Sequence, residues 1–231
     1  MLFKSKKLEI TFNTVHNQLI DLFPPVRLNK VIPSWFKDLN NSNIPTLRNC
    51  PGVTELFKDG IGIPMWRDIS ISYSGNKIDA INIPGVHRDA THEFVVMHPD
   101  QQWSGAYPNH IHIKLINPWL INTNRFAKFL MTDPCWHKNS PQSYTVPTGM
   151  IEFKYQHSAH VNIFLPITNS KKTVEFKAGE IIAYLFPTFS EDLDIKYRKI
   201  NREEFFDLLP YTWTFNKLYA RTKKILQDKT K

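Results

Sequence analysis

Histidine is the residue type in this chain with the most chemistry to offer. Eight of the nine histidines fall between positions 87 and 160: His87, His92, His98, His110, His112, His137, His157 and His160. Neutral imidazole is the commonest protein ligand for transition metals. Two arrangements have the spacing for such a centre. In His110-Ile-His112 the two rings sit at i and i+2, so on a strand they point the same way and can reach one ion, with further ligands from His157 or His160. In His87-Arg-Asp89 an imidazole and a carboxylate lie two positions apart. Joined by His157 or His160, they make the two-histidine, one-carboxylate set of a non-haem Fe(II) centre, whose open positions take co-substrate and oxygen. Fe(II) or another divalent metal is the cofactor either set would hold. The competing reading is surface: two histidines on a solvent-facing strand, and a polar loop.

Other reactive constellations are missing. The sequence has no Gly-X-Ser-X-Gly, no glycine-rich phosphate loop, no Cys-X-X-Cys and no His-Glu-X-X-His. Cys135, followed by Trp136 and His137, is a thiol near an imidazole, and burial would make it inert.

The elements that must position these residues are strands. Leu8, Ile10 and Phe12 alternate with Glu9 and Thr11, and Ile69, Ile71 and Tyr73 alternate with Asp68, Ser70 and Ser72. Ser74-Gly75-Asn76 reads as a hairpin turn into a strand over 77–83. Residues 110–115 and 126–131 alternate again, while 85–108 has no clean period. From Gly149 the chain reads strand, polar break, strand over 161–169, a turn at Lys171-Lys172, strand from Thr173, a tight turn at Gly179 and strand to Pro187. Nothing between 60 and 200 reads as a long helix. Short helices are predicted over 31–39, with Pro33 at its start, and over 53–58, ending near Gly60. Asn201-Arg-Glu-Glu204 has the spacing of a helix N-cap. Beyond Pro210, the positions Phe215, Leu218, Thr222 and Ile225 draw the stripe of an amphipathic helix suited to a subunit contact.

At 231 residues, 42% hydrophobic and 22% charged, the chain has the make-up of one globular domain with appendages. The expected division is 1–60 for N-terminal elements, 60–200 for a β core and 201–231 for C-terminal helices. The formal charge is +8, and Lys217, Arg221, Lys223, Lys224, Lys229 and Lys231 face one acid, Asp228, in the last fifteen positions. No aromatic interleaving or groove-reading motif accompanies that charge, so nucleic acid is not an expected partner. Two cysteines, Cys50 and Cys135, give no disulfide framework and fit a reducing compartment. The longest apolar run, 181–186, is far too short for a helical membrane span. Early lysines without an apolar stretch behind them do not make a secretory signal.

Two resemblances add to this reading. Cys50-Pro-Gly-Val, Gly62-Ile-Pro-Met-Trp-Arg-Asp-Ile69, His98-Pro-Asp-Gln-Gln102, Asn117-Pro-Trp-Leu-Ile-Asn-Thr123, Gly149-Met-Ile-Glu and Ala178-Gly-Glu-Ile-Ile together look like an uncharacterised β-sandwich protein family of marine tailed phages and bacteria. That resemblance implies a phage-encoded accessory protein in the host cytoplasm, with a place in the virion as an alternative. Residues 149–187 resemble the trimeric dUTPase motif, with Gly149-Met-Ile-Glu-Phe-Lys-Tyr155 set against Gly-X-Ile-Asp-X-X-Tyr. It implies a water-positioning carboxylate at Glu152 and a sugar-stacking ring at Tyr155, although the upstream Arg-Ser-Gly motif and the glycine-rich C-terminal arm of that family are absent. The His110/His112 pair is similar to the start of a cupin metal site, but Ile116 and Asn117 stand where a cupin places Glu. Taken together, the chain is expected to be mainly β, an antiparallel jelly-roll or double-stranded β-helix-like sandwich with short N-terminal elements and a C-terminal amphipathic helix. Its expected role is to bind a small-molecule or protein ligand in a β-barrel pocket lined by the histidine face and Glu152, with a metal-dependent enzyme (Fe(II)/2-oxoglutarate or cupin type), a virion component and a nucleotide hydrolase as alternatives.

Overall fold

The computed structural model describes residues 7–39, 46–103, 106–138, 140, 143–154, 158–188 and 192–208. In chain order these form β1 (Leu8–Thr14), α1 (Asn17–Leu22), β2 (Val26–Arg27), α2 (Ser34–Lys37), α3 (Pro51–Asp59), β3 (Ile61–Pro64), β4 (Ile69–Gly75), β5 (Lys77–Asn82), β6 (Val95–Met97), β7 (His110–Leu115), β8 (Leu120–Thr123), β9 (Lys128–Thr132), β10 (Gly149–Glu152), β11 (Val161–Pro166), β12 (Thr168–Phe176), β13 (Ile181–Pro187), β14 (Leu193–Lys199) and α4 (Arg202–Leu208). The chain is mainly β, as its alternating pattern predicts. Between 60 and 200 the described helical residues are confined to short 3-10 turns at 88–93 and 100–102.

The strands form four sheets with orders β14-β1-β8, β10-β9-β13-β3-β2, β11-β7-β6 and β12-β4-β5. The arrangement is consistent with a β sandwich. The described pairings are antiparallel except one: β1 runs parallel to β14 in unbroken register from Leu8↔Leu193 to Thr14↔Lys199. Period-2 alternation puts one side of each strand inside. Leu8, Ile10 and Phe12, then Ile69, Ile71 and Tyr73, then Ile111, Ile113 and Leu115 all enter one core around Trp119, Phe129, Phe153 and Phe176. A smaller cluster of Leu28, Phe36, Val53 and Phe57 packs the N-terminal elements against Ile181 and Tyr184 of β13.

Helix α3 shows how tightly that second cluster closes. Pro51 sits in its first turn, where a missing N–H costs nothing. Val53 and Phe57, four residues apart, share its buried face. The helix stops at Gly60, where a Cβ would lie 2.5 Å from Leu28 Cδ1 and 2.6 Å from Phe186 Cε1, so only glycine fits. At the other end of the chain, Asn201 Oδ1 accepts from the Glu204 backbone N–H at 2.8 Å, the N-cap its spacing predicts.

Two sequence expectations need correcting or placing. Lys171 and Lys172 do not make a turn: they lie within β12, where the pairing with β4 shifts register between Thr168 and Lys172. The chain instead changes sheets at Pro166-Ile167, where proline ends β11 and the Ile167 N–H is taken by Asn109 O at 2.8 Å. The Trp119 indole N–H has no hydrogen-bond partner among the described residues, although the ring is fully buried edge-on to Phe12. The amphipathic stripe from Phe215 to Ile225, with its subunit contact, lies outside the described residues. No helix among the described residues is long and apolar enough to cross a membrane.

Candidate functional site

Strand β7 is the middle strand of its sheet, with β6 on one side and β11 on the other. Its sequence, His-Ile-His-Ile-Lys-Leu, sends the three aliphatic residues into the core and leaves His110, His112 and Lys114 on the opposite face. Residues paired across an antiparallel ladder share a face. Phe164 therefore lies beside His112, and Asn162 beside Lys114. On the β6 side, the His98 N–H donates to His112 O at 3.1 Å and carries the ladder one residue past Met97.

The result is a column of four near-parallel rings. His98 stacks on His112 (centroids 4.5 Å apart, planes 14°), His112 on Phe164 (4.8 Å, 13°) and Phe164 on Tyr107 (4.1 Å, 16°). Trp103 stands edge-on to both His112 and Phe164, at 4.8 and 5.1 Å. The segment following β6 thus folds back over the sheet and covers its outer face with Trp103 and Tyr107. His112 ends up only 3% exposed.

The polar atoms of this cluster are left incompletely paired. His112 Nε2 lies 3.1 Å from Asn162 Oδ1. With an oxygen as its partner, Nε2 carries the proton and Nδ1 is a bare lone pair, and Nδ1 is buried with no hydrogen-bond partner among the described residues. His98 Nε2 and the Trp103 Nε1–H donor are likewise buried with no partner among the described residues. Burial disfavours the charged ring and holds the His112 pKa down at about 4, against the opposing pull of Asn162. His98 is lowered as well, first by burial and then by the charge of Lys114.

Lys114 is half-buried, and desolvation lowers its pKa. Among the described residues no carboxylate pairs with it. Its charge depresses His98, His112 and His160 alike, so the four groups form one electrostatic unit. His160 precedes β11, and its Nδ1 accepts from the Asn117 backbone N–H at 3.1 Å. Asn117 is otherwise used in full: its Nδ2 donates to Ala159 O at 3.1 Å and its Oδ1 accepts from the Trp119 N–H at 2.9 Å. Burial holds His160, too, at about 4.

The sequence candidates divide around this surface. His110 and His112 do share a face of one strand, but His110 Nδ1 is bonded to Pro108 O at 2.9 Å and its ring meets Phe164 edge-on at 6.3 Å. His87 Nδ1 lies 3.3 Å from Asp89 Oδ2, the two side chains 82% and 92% exposed, at a 3-10 turn. Glu152 is 6% exposed and sits on β10, in register with Lys128, on a different sheet from the histidines. Tyr155 and His157 lie outside the described residues. Among the described residues no three His, Cys, Asp or Glu side chains group as metal ligands. The lone pairs of an imidazole lie in its ring plane, so the stacked rings of His98 and His112 offer no shared point to an ion. A shallow open groove of about 450 Å³ exists elsewhere, lined by Asp68, Ser70, Asn82, Ile83, Glu175 and Lys177, with no histidine in it.

Residues that spacing alone did not single out for this surface are Trp103, Tyr107, Lys114, Asn162 and Phe164. Two signals were available. Lys114 continues the same-face series of His110 and His112, and Asn162 breaks an otherwise apolar strand, with Phe164 two positions on along the same face. No protein-family model, curated protein or solved structure matches the chain.

Proposed function

We propose that this chain is a binding protein whose ligand sits on the outer face of the β6-β7-β11 sheet, against His98, His112 and Trp103. The observation that supports this is the clustering of three buried ring nitrogens without hydrogen-bond partners among the described residues. An unpaired buried polar atom costs roughly 1–3 kcal/mol, and few survive in a folded protein. Three in one cluster of rings make a place where a small polar molecule gains what the fold has left unmade. Trp103 supplies a fixed donor, His112 Nδ1 a fixed acceptor, and His98 Nε2 either role according to its tautomer. Catalysis is not part of this reading. The resemblance to phage proteins and the low cysteine content support an accessory role in a host cytoplasm, with the ligand a small molecule.

The test is a titration of the chain with acetamide, acetate and imidazole, followed by tryptophan fluorescence and by the ring signals of His98 and His112. At least one probe is expected to shift those signals with a Kd of about 1 mM or tighter, in keeping with a ligand of few atoms. His112→Phe keeps the ring column and removes Nδ1, and it should weaken that probe about tenfold, or 1.4 kcal/mol. If no probe moves either ring, the cluster holds water only and the proposal fails.

A further inference from the structure

We infer that the ligand of this surface is a small anion, and that it is taken up together with one proton. The inference rests on the binding surface proposed above and adds the charge of what it holds. Lys114 carries it: an ammonium half-buried on the outer face of β7, with no carboxylate among the described residues to neutralise it, beside three imidazoles. A buried charge is ordinarily paired. Lys114 shares its face of β7 with His110 and His112 and is paired in register with Val96 of β6 and Asn162 of β11, and its charge acts on His98, His112 and His160. None of them is an acid. Among the described residues the counter-charge is missing, and the ligand can supply it.

The tautomer brings in the proton. An anion offers only acceptor oxygens, while His112 Nδ1 presents a lone pair to them. The two repel until Nδ1 is protonated. A solvent proton moves onto Nδ1, the ring becomes a donor at both nitrogens, and its new positive charge is matched by the anion. Trp103 Nε1–H and Lys114 add donors that need no proton. Burial opposes the charged ring in the free protein, and the bound anion removes that opposition.

Sulfate is a suitable probe because its own charge is fixed through the neutral range, and acetamide is the uncharged control. Calorimetric titration in two buffers of different ionisation enthalpy reads affinity and proton uptake together. Sulfate is expected to bind about tenfold tighter near pH 6 than near pH 7, with uptake of about one proton per ion. Acetamide should show no such slope. Lys114→Met keeps the stem and removes the charge, and should weaken sulfate at least about tenfold at both pH values. His112→Phe should abolish the slope. Sulfate affinity that is independent of pH, or unchanged in Lys114→Met, overturns the inference. Acetamide binding at the rings without sulfate binding overturns it too, and leaves the binding surface standing. If neither probe touches the rings, the inference falls, and the binding surface falls with it when acetate and imidazole fail as well.

Discussion

Acidification from about pH 7 to about pH 4.5 is expected to strip several kcal/mol from the stability of this fold, because it buries imidazoles in their neutral form. His112 and His160 have folded-state pKa values held at about 4, against an ordinary 6.5. Above pH 6.5 both folded and unfolded chains carry neutral rings, and the shift has no effect on stability. Below it the unfolded chain takes up protons that the folded chain refuses, so stability falls with pH and levels off near the folded values. The loss amounts to about 2–3 kcal/mol for each ring. His98 and His137 shift the same way and add to it. Geometry gives the same answer for His160, whose Nδ1 is already an acceptor for the Asn117 N–H, so that a second proton there would break the bond. His137 Nδ1 lies 2.6 Å from the Tyr184 hydroxyl while its Nε2 faces Val31 O at 2.7 Å, and a second proton would force that hydroxyl from donor to acceptor. Domains are commonly stable by only about 5–15 kcal/mol, so the effect is large enough to bring the chain near its unfolding midpoint. Urea unfolding followed across this range measures it. His112→Phe should flatten the dependence by one ring's share. A midpoint that does not move with pH would contradict the burial of these rings.

Much of the frame behind this surface was legible in the sequence. The alternation of residues 110–115 gave both the strand and the shared face of His110 and His112, because period 2 is a local property of the backbone. The same logic placed β4, β5, β10, β11 and β13. The partners of His112 were not legible, since His98 and Trp103 come from one distant stretch of chain and Asn162 and Phe164 from another, and long-range register decides that they meet. The two-lysine turn failed for a related reason. Charged residues without glycine mark exposure as readily as reversal, and a bulge let β12 run through them. His87-Arg-Asp89 did place an imidazole next to a carboxylate, on an exposed 3-10 turn.

Removing the Asp133 carboxylate is expected to be the most damaging single change near the site, at about 3–5 kcal/mol. Lys138 is 3% exposed at its side chain and lies 2.6 Å from Asp133 Oδ2. The same oxygen accepts from the Val146 N–H at 2.8 Å. Lys138 also donates to Tyr144 O and sits 4.0 Å above the Tyr144 ring. Burial pulls the Lys138 pKa down and Asp133 pulls it back up, so the pair exists because each member offsets the other's desolvation. Between the two residues that Asp133 helps to fix lies Thr145, whose N–H and C=O exchange bonds of 2.9 and 2.8 Å with Phe164. Phe164 is the ring on which His112 stacks. Asp133→Ala therefore leaves a buried ammonium and frees the segment that borders the ring column. Lys138→Met fills the same volume without a charge and should cost far less, and Asp133→Asn with Lys138→Met should recover most of the loss. Chemical unfolding of the four chains tests this. Equal costs for Asp133→Ala and Lys138→Met would mean that the ion pair does not act as described.

The central claim is that neutral, half-satisfied imidazoles on β7 and beside it await an anion. The most direct measurement is the long-range nitrogen–proton NMR spectrum of the histidine rings near neutral pH, without and with sulfate. Free protein should show His112 protonated at Nε2 alone, with Nδ1 a bare acceptor. Saturating sulfate should move Nδ1 to the protonated position and shift His98 with it, leaving His87 unchanged. A His112 ring already doubly protonated in the free chain, or one whose nitrogens do not move when sulfate is added, would contradict the account.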